Sequence, residues 1–586
     1  MSDWDATYDA VAAANGGLDL EMPSGKFMNR ANLLPAIKAG KVSEATIDDK
    51  VRRILRTAIQ FGWLDHEQTD LSIPLLNLAG KQAALEAARS GMVLLKNDAN
   101  LLPLEKGSIK SIAVIGPDAY PAQPGGGGSA EAKPFTPVSY VEGLVNALGN
   151  GAKVYYSPGI PSLDDISKQM EFTTQASGGE QGLKTEVFNN LDLSGEPAIV
   201  RTDKYVNYQP ARGGKGADSN VSIRWTGFFV PSIAGQYLAF VQGPGENGVY
   251  RLYVDKKLVI DNWKQWYAFV GEAPVTLTQG PHQIELDYYA KNGWGKTTAN
   301  LGIVRPEKLV MAEAKSLAAR VDAVIVAPGF DAASEGESAD RTFRLLPGQD
   351  ELINQIAAAN KKTIVVMTSG GGVDMTAWVD RVPALLEAWY PGQEGGTAVA
   401  QLLFGDFNPS GRLPISIERR WEDNATHDTY YPKSGTTKVE YTEGVFVGYR
   451  HFDKATVKPL FPFGFGLSYS LFAYKNLVIS PPSADQQVNV AFDVTNTGTR
   501  PGADVAEVFV GDHHAPVPRP IKELKGFVKV NLNPGETKNV TVKLDPRAFS
   551  YYDVKNHKWT VAPGDFDVFV ARSAVDIELT GKVTLH

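Results

Sequence analysis

The sequence predicts a multidomain protein that combines a doubly wound α/β domain with all-β domains. Its 586 residues are too many for one hydrophobic core. Buried strands at 111–116, 323–326 and 363–366 alternate with helical segments, which is typical of a mostly parallel sheet. Residues 156–309 and 486–586 instead carry short alternating runs divided by Gly, Pro and Asn, which indicates two β-sandwiches. The first of them interrupts the α/β pattern, so we predict that it is an insertion.

The first part of the chain holds about one and a half strand–helix units. Residues 8–16 are Ala-rich and predict a helix that glycine ends, and 18–23 alternate in hydrophobicity and predict a short strand. Residues 43–61 predict an amphipathic helix, because Ser43 can cap it and apolar residues recur at helical spacing. A further helix is predicted over 82–95. These units are too few to close an eight-unit barrel.

The C-terminal part is predicted to be all-β. Residues 408–470 are rich in turns and aromatic side chains and show few regular elements. After them the hydrophobicity alternates with a period of two in 488–496, 506–511 and 539–544, which predicts strands. About 100 residues of this pattern match the size of an immunoglobulin-like sandwich.

Composition and charge exclude several classes of function. The net charge of −8 and the absence of a Lys/Arg-rich tract argue against nucleic-acid binding. The chain has no cysteine, which excludes disulfides, thiolate catalysis and cysteine-bound zinc. Of its eight histidines only His513 and His514 are adjacent in the sequence, and adjacent side chains rarely bind one metal ion. We therefore expect no metal site. We expect no cofactor either. No apolar run approaches the ~20 residues that span a bilayer, so no membrane segment is expected.

Four consecutive glycines at 125–128, followed by Ser129, suggest a phosphate loop at first sight. The segment lacks the Gly-Lys-Ser/Thr of a Walker loop. It also lacks a GxGxxG placed directly between a strand and a helix, which a dinucleotide site requires. We therefore interpret the segment as a flexible turn near a pocket.

Paired carboxylates are the minimum apparatus for cleaving a glycosidic bond, with one neutral to protonate the leaving oxygen and one ionised to attack the anomeric carbon. The acidic segment 333–341 follows the buried strand at 323–326, and open α/β sheets bind ligands at the carboxyl ends of strands. A solvated acidic loop without a function is the alternative. Asp3, which precedes Trp4, and a glutamate in 335–337 could form such a pair.

Nine segments form a characteristic set that runs in order along nearly the whole chain. They are MSDWDATYDAVAAANGGLDLEMP (1–23), VRRILRTAIQFGWLD (51–65), AARSGMVLLKNDANLLPL (87–104), AVIGPDA (113–119), GGGGSA (125–130), EGESADRTFRLLPGQDELI (335–353), SGGGVDM (369–375), EAWYPGQEGGTAVAQLLFGDFNPSGRLPIS (387–416) and PLFPFGFGLSY (459–469). Together they resemble glycoside hydrolase family 3, the family of β-glucosidases and β-xylosidases.

The resemblance implies site residues. Asp3 stands in the family's Ser-Asp-Trp motif, which implies that it is the nucleophile and that the neighbouring Trp4 lines the sugar-binding cleft. The acid/base glutamate of the family lies three residues before an Asp-Arg pair.

At that spacing the acid/base residue is Glu337, which precedes Asp340-Arg341, with Ser338 where the family usually has glycine. Glu335, which is itself followed by glycine, is the alternative acid/base residue.

The resemblance also implies a domain order. We expect a C-terminal remnant of a (β/α)8 barrel, an α/β domain in two parts, an inserted sandwich like that of anthrax protective antigen, a linker and a fibronectin type III-like domain. Their predicted bounds are 1–70, 71–155 with 310–420, 156–309, 421–485 and 486–586. Family members normally begin with a complete barrel of about 250 residues, so we expect an incomplete form with little activity alone. The insertion is expected to shape the outer subsites.

The function implied by the resemblance is that of a retaining β-glycosidase, with β-glucosidase as the leading hypothesis. The substrates would be terminal β-D-glucosyl residues of oligosaccharides or of aryl or alkyl β-glucosides. The alternatives are a β-xylosidase or exo-glucanase of the same family, and a non-catalytic carbohydrate-binding protein. Linkage preference and oligomeric state stay open. No signal peptide is visible at the N-terminus, and a secreted or periplasmic location is the expectation.

Overall fold

The computed structural model describes residues 1–67, 69, 77–208, 221–243, 248–263, 269–290, 299–337, 340–433 and 436–586. The chain divides into two compact units, Met1–Asn77 and Leu78–His586. None of the helices within the described ranges combines the length and the apolar character that crossing a membrane requires.

The first unit is helical. Its helices are α1 (Ala10–Asn15), α2 (Arg30–Lys38) and α3 (Glu44–Gln60). Each helix begins after a residue whose side chain accepts a hydrogen bond from a backbone N–H of the first turn; these caps are Asp9, Asn29 and Ser43. The helices predicted over 8–16 and 43–61 are therefore confirmed.

The core of the first unit is small. Its buried apolar residues are Ala14, Ala36 and Val42. The segment 18–23, predicted as a strand, forms only one isolated parallel bridge, between Trp4 and Met22. The strand prediction is wrong because alternation describes which side of a segment is apolar, whereas a strand also needs a partner of similar length.

The second unit begins with an α/β domain that is divided by an insertion. The first stretch contains α4 (Leu78–Gly91), β1 (Val93–Asn97), β2 (Ser111–Ile115), α5 (Tyr140–Leu148) and β3 (Lys153–Ser157). The insertion contains α6 (Leu163–Gln169), β4 (Phe172–Gln175), β5 (Gly178–Gln181), β6 (Leu183–Phe188), β7 (Ile199–Asp203), β8 (Asn207–Tyr208), β9 (Val221–Phe229), β10 (Gly235–Gln242), β11 (Gly248–Val254), β12 (Lys257–Asp261), β13 (Val270–Leu277), β14 (His282–Ala290) and β15 (Ala299–Val304). The second α/β stretch contains α7 (Ala312–Ala318), β16 (Ala323–Val326), α8 (Gln349–Ala359), β17 (Thr363–Met367), β18 (Ala384–Glu387) and α9 (Gly395–Phe404).

The α/β sheet is doubly wound, as predicted. Five strands run parallel in the order β18-β17-β16-β2-β3, and β1 adds an antiparallel edge beside β18. Apolar side chains of α7 and α8, such as Leu317 and Ile353, form the core on one face. Those of α4, α5 and α9, such as Leu144 and Leu403, form the core on the other face. The strand order reverses between β2 and β16, because β3 lies on one side of β2 and all later parallel strands lie on the other.

The helix predicted over 82–95 is confirmed only as far as Gly91, where α4 ends. The next residues form β1, which pairs with β18. The run 93–95 is entirely apolar, and a short apolar run does not distinguish a buried strand from the end of a buried helix. Residues 93–97 form a strand because they can pair with β18, which would otherwise be the unpaired edge of the parallel sheet.

The insertion is a sandwich of two sheets, as predicted. One sheet follows the order β12-β11-β14-β9-β4-β5, with β6 paired to β9 and β7 to β6, and the other follows β13-β10-β15-β8. A single apolar core contains side chains of both sheets, including Trp225 and Tyr288 of the first and Val241 and Leu301 of the second.

The C-terminal region is a second sandwich. Its elements, after the short α10 (Tyr449–Lys454), are β19 (Phe472–Ile479), β20 (Val488–Asn496), β21 (Gly502–Asp512), β22 (Glu523–Leu532), β23 (Thr537–Leu544), β24 (Ser550–Asp553), β25 (Lys558–Val561), β26 (Gly564–Ala571) and β27 (Ile577–Leu585). The sheets β19-β20-β23 and β22-β21-β26-β27 share one core, and β24-β25 is a hairpin. The strands predicted at 488–496, 506–511 and 539–544 are confirmed.

One strand of this sandwich lies inside the predicted linker 421–485. Strand β19 pairs antiparallel with β20, and its Phe472 and Tyr474 are buried in the sandwich core. The sandwich therefore begins near residue 472 rather than 486, because the pairing with β20 buries these two rings.

Candidate active site

The switch point of the α/β sheet brings two loops together. The loop after β2 contains residues 125–129, and the loop after β16 contains residues 335–341. Both leave the carboxyl edge of the sheet, between the two neighbouring strands where the strand order reverses. Crevices at such positions are where open α/β sheets bind ligands. The acidic loop therefore lies where the sequence placed it.

The two loops are joined through their backbones. The N–H of Gly127 donates to the carbonyl of Glu335 over 2.9 Å, and the N–H of Glu337 donates to the carbonyl of Gly127 over 3.1 Å. Gly127 and Gly336 thereby form a parallel bridge. The four-glycine segment, interpreted from the sequence as a flexible turn, is fixed against the acidic loop at these positions.

Glycine is required here because the loops approach closely. A Cβ at Gly127 would lie 2.7 Å from the carbonyl oxygen of Ala332. A Cβ at Gly128 would lie 2.5 Å from the Cβ of Glu337, and Gly128 also has a φ of +84°, which other residues adopt with strain. The glycines thus permit close contact between the two loops.

Glu337 is exposed, and one of its carboxylate oxygens is anchored. Its Oε2 accepts hydrogen bonds from the backbone N–H of Ser129 over 2.8 Å and from the Ser129 hydroxyl. In the described part of the chain, no hydrogen bond engages its Oε1. The Ser129 hydroxyl and N–H lower the pKa of Glu337 below its usual value, because both donate to the ionised form.

Glu335 is anchored at both carboxylate oxygens and largely buried. Its Oε1 accepts a hydrogen bond from Nε of Arg341, and its Oε2 accepts from the Tyr390 hydroxyl and the Gly370 N–H, each over 2.7 Å. The side chain of Glu335 is 16% exposed. The three donors belong to the loops after β16, β17 and β18. The Glu335 carboxylate therefore connects these three loops through hydrogen bonds.

The partners of Glu335 are themselves held in place. Arg341 also donates to the carbonyls of Thr342 and Gly372, and its guanidinium lies 4.4 Å from the ring centroid of Phe330. Burial, together with the charge of Glu335, raises the pKa of the Tyr390 phenol well above its usual range. Tyr390 therefore stays a hydrogen-bond donor to Glu335.

Asp340 anchors the far end of the acidic loop. Its carboxylate accepts hydrogen bonds from the hydroxyls of Tyr430 and Tyr431, over 3.0 and 2.6 Å. Ser338, which stands where the resemblance expects glycine, lies outside the described residues.

Two buried carboxyl groups lie beneath this edge of the sheet. Burial raises the pKa of Asp118, after β2, and of Glu387, at the end of β18, well above the usual range. Glu387 accepts hydrogen bonds from the Trp389 N–H and the Ser369 hydroxyl. Burial therefore favours the neutral form of both carboxyl groups.

The first unit contains Asp3 and Trp4. The N–H of Ser2 donates to the carbonyl of Leu20 over 2.9 Å, and the Asp3 carboxylate accepts from the N–H of Trp4 over 2.7 Å. Asp3 is exposed, and Trp4 is 58% exposed. Asp3 lies in one compact unit and Glu337 in the other.

Several residues around Glu337 were not singled out by the sequence. Ser129 stood beside the glycines but was considered only as part of a phosphate loop, and Tyr390 and Tyr430 carried no signal beyond being aromatic. Across the ranges that the structure describes, no three His, Asp or Glu side chains gather closely enough to hold a metal ion.

Two family models match the chain. Residues 92–469 match the glycosyl hydrolase family 3 C-terminal domain, and residues 504–574 match the fibronectin type III-like domain. The first match spans the whole α/β domain from β1 onward, including the insertion and both loops of the site.

Two curated proteins illustrate the similarity. The chain is 34% identical over 613 residues to a beta-glucosidase of Rhizobium radiobacter. It is 33% identical over 632 residues to beta-glucosidase B of Emericella nidulans. In both cases the whole chain and 72% of the relative are covered.

Solved structures of beta-glucosidases are also similar to the chain. The chain is similar to the beta-glucosidase of Kluyveromyces marxianus in complex with glucose, with a TM-score of 0.71 and 29% identity. It is also similar to DesR, a beta-glucosidase from Streptomyces venezuelae in complex with D-glucose, with a TM-score of 0.71 and 30% identity. All of this chain is covered, with 73% and 72% of the two solved chains. The chain therefore belongs to glycosyl hydrolase family 3, a family of glycoside hydrolases.

Proposed function

We propose that the chain is a retaining β-glucosidase that hydrolyses terminal non-reducing β-D-glucosyl residues of oligosaccharides or of aryl or alkyl β-glucosides. The observation that carries the proposal is the placement of Glu337, an exposed carboxylate fixed on Ser129 at the switch point of the sheet. Relatives named beta-glucosidase align with the whole chain, and two similar structures hold glucose, which supports a glucoside substrate.

The proposed mechanism uses two carboxyl groups. The carboxylate of Asp3 attacks the anomeric carbon while the proton of Glu337 passes to the departing oxygen and the glycosidic bond breaks. Glu337 then takes a proton from a water molecule, whose oxygen attacks the same carbon and releases Asp3. Two inversions give net retention. Trp4, next to Asp3, supplies a ring face against which a sugar packs.

The contacts of the two glutamates favour Glu337 over Glu335 as the acid/base residue. A general acid must gain and release a proton, so it needs a carboxylate oxygen that faces the substrate. Both oxygens of Glu335 are occupied by donors, and one of these donors, Arg341, is a cation. Glu337 uses only Oε2 in its contacts with Ser129. We therefore assign proton transfer to Glu337 and a structural role to Glu335.

The insertion is proposed to shape the outer part of the substrate site. Gln242, at the end of β10, donates to the carbonyl of Ala333 over 3.5 Å, and the N–H of Phe269 donates to the carbonyl of Asp340 over 3.3 Å. These contacts reach both ends of the acidic loop. The assignment of 156–309 as a protective-antigen-like domain is part of this proposal.

The test is an assay of the full chain on an aryl β-glucoside, with an aryl β-xyloside in parallel. We expect a low rate of turnover, with the glucoside preferred. Glu337→Gln should lower kcat by about 10²–10⁴-fold, because it removes proton transfer. Asp3→Asn should lower kcat by at least about 10²-fold, because it removes the nucleophile. NMR of the first-formed sugar should show the β-anomer.

Other outcomes contradict the proposal. An α-anomer as the first product would exclude retention. Turnover that is equal in the wild-type chain and in Asp3→Asn would exclude Asp3 as the nucleophile. Binding of glucose without any turnover would indicate a carbohydrate-binding protein.

The rival glutamate provides a matched control. Glu335→Gln breaks the ion pair with Arg341, so it should lower the thermal midpoint of unfolding, whereas Glu337→Gln should leave that midpoint nearly unchanged. External azide should restore turnover on an activated aryl glucoside for a Glu337→Ala chain and not for Glu335→Ala. The opposite pattern of azide rescue would assign the acid/base role to Glu335.

A further inference from the structure

The glycine segment and Ser129 together determine the direction in which the Glu337 carboxylate points. We propose that Ser129 is a positioning residue, which holds Oε2 of Glu337 and leaves Oε1 as the oxygen that exchanges the proton with the substrate. This inference rests on the proposed function. It assigns a role to the glycine-rich motif that neither nucleotide binding nor loop flexibility explains.

The geometry of the loops supports a fixed Ser129. The bridge between Gly127 and Gly336 places Ser129 two residues beyond one bridge partner and Glu337 one residue beyond the other. A Cβ at Gly126 would lie 3.2 Å from the Tyr390 ring, and a Cβ at Gly336 would lie 2.9 Å from the Gly127 backbone. Because these glycines have no side chains, the two loops can approach closely. The N–H and the hydroxyl of Ser129 can then both donate to Oε2 of Glu337.

Other charged groups near the loop are engaged elsewhere. Glu335 and Arg341 form an ion pair to which Tyr390 also donates, and Asp340 accepts from Tyr430 and Tyr431. The neighbouring Asp331 accepts from Ala333 and Ser334 within its own turn. In the part of unit Leu78–His586 that the structure describes, Ser129 is thus the group that directly contacts the Glu337 carboxylate.

The proton balance follows from this arrangement. In the first step the proton on Oε1 passes to the glycosidic oxygen, which keeps the electron pair of the broken bond to the anomeric carbon, while Asp3 forms a new bond to that carbon. In the second step Oε1 takes a proton from water, the water oxygen bonds to the carbon, and the Asp3 carboxylate leaves. Oε2 stays hydrogen-bonded to Ser129 in both steps, so the carboxyl group does not rotate between them.

The direct test is an NMR titration of the Glu337 carboxyl carbon in the full chain labelled at glutamate, with Glu337→Gln used to identify the signal. Ser129→Ala removes the hydroxyl but keeps the backbone N–H. We expect its Glu337 pKa to be higher than in the wild-type chain. Ser108→Ala is the control, because the Ser108 hydroxyl donates to the nearby carbonyl of Glu105, and it should leave the titration unchanged.

Kinetics provide the second readout. In Ser129→Ala the alkaline limb of the kcat/KM profile should move to higher pH, because that limb reports loss of the Glu337 proton. The value of kcat/KM at its optimum should fall about 10-fold, since one charge-assisted hydrogen bond is lost. Ser129→Thr keeps a hydroxyl and should recover most of both properties.

The outcomes separate the two proposals. An unchanged Glu337 titration in Ser129→Ala, in a chain with an unchanged thermal midpoint, overturns the positioning role whether or not the chain turns over substrate. If Ser129→Ala unfolds, Ser129→Cys decides, because its S–H is a weaker donor than a hydroxyl, and a Glu337 pKa that is not raised in that variant overturns the role. A wild-type chain without turnover contradicts the proposed function but leaves the titration decisive for Ser129.

Discussion

The loop that carries Glu337 and the loop that carries Asp3 are held by very different amounts of structure. The Glu337 loop leaves a strand in the middle of a six-stranded sheet with apolar cores on both faces, and it is paired with the glycine segment. The Asp3 loop has an isolated bridge between Trp4 and Met22 and hydrogen bonds that join Ser2 to Leu20 and Asp5 to Met22. The comparison teaches that more buried apolar structure supports the Glu337 loop than the Asp3 loop.

The helices behind the two loops show the same contrast. In α8 the side chains of Leu352 and Ile353 are fully buried against the sheet. In α3 the corresponding apolar stripe, which includes Leu55 and Ile59, is exposed. Burial of apolar area is the main favourable term in folding, so α8 contributes to stability through its packing, whereas α3 contributes much less.

The largest expected effect concerns Trp378, which is fully buried in the α/β core. Trp378→Ala should lower the free energy of unfolding by about 3–5 kcal/mol, because it removes a large buried side chain and leaves a cavity. Urea denaturation of the α/β domain is the measurement. Trp559→Ala, at a ring that is 48% exposed in the C-terminal hairpin, is the control and should cost about 1 kcal/mol or less. Equal losses for the two variants would contradict the burial argument.

The next effect concerns a buried carboxyl group, which contrasts with the exposed Glu337. Burial, with a contribution from the charge of Asp504 and against the opposing charge of Arg412, raises the pKa of Glu507 to about 8. The folded pKa lies above the unfolded one, so the stability due to this group is fully present below about pH 4.5. It is lost as the pH rises through about 8.

Glu507→Gln should therefore leave stability nearly unchanged at pH 4 and raise it by a few kcal/mol at pH 9, because glutamine does not ionise and a pKa difference of one between the folded and unfolded states corresponds to about 1.4 kcal/mol. Thermal unfolding at the two pH values measures the difference. Glu536→Gln serves as the control, since hydrogen bonds lower the pKa of Glu536. A Glu507→Gln chain whose stability relative to wild type does not change with pH would show that Glu507 ionises normally.

Gly128 tests whether close packing is what fixes the Glu337 loop. Gly128→Ala should lower the free energy of unfolding by about 1–3 kcal/mol, because the new Cβ meets Glu337 and φ is positive. Gly149→Ala is the matched control, because Gly149 also has a positive φ and, among the residues that the structure describes, no atom lies within 4 Å of the added Cβ. A cost for Gly128→Ala that does not exceed that of Gly149→Ala would attribute the whole effect to backbone strain.

The smallest expected effect is in the first unit. Ile59 is 62% exposed on α3, so Ile59→Ser should change the free energy of unfolding by no more than about 0.5 kcal/mol. Ile353→Ser, at a fully buried position of α8, should cost several times more. Amide hydrogen exchange should also be slower in β16 and β17 than in α3. Comparable losses at Ile59 and Ile353 would remove the contrast between the two helices.

Local patterns were sufficient for most elements. The helices at 8–16 and 43–61 follow from caps and helical periodicity, and strands β2, β16 and β17 follow from short apolar runs between helical segments. Three predictions were wrong: a helix through 93–95, a strand at 18–23, and a linker that extends to 485. Each concerns a segment whose state depends on a partner. Residues 93–95 pair with β18 at the edge of the sheet, and β19 pairs with β20. In 18–23 the structure shows one isolated bridge, between Met22 and Trp4.

The sequence by itself determined the family resemblance, the doubly wound α/β class with its insertion, and the placement of an acidic loop after β16. These depend on local periodicity and contiguous motifs. Only the tertiary structure decided that Glu335 is occupied at both oxygens and Glu337 at one. The reason is physical: Ser129 lies 208 residues from Glu337 in the chain, and Tyr390 lies 55 residues from Glu335. Folding of the sheet brings these donors to the glutamates, because parallel strands end at the same edge.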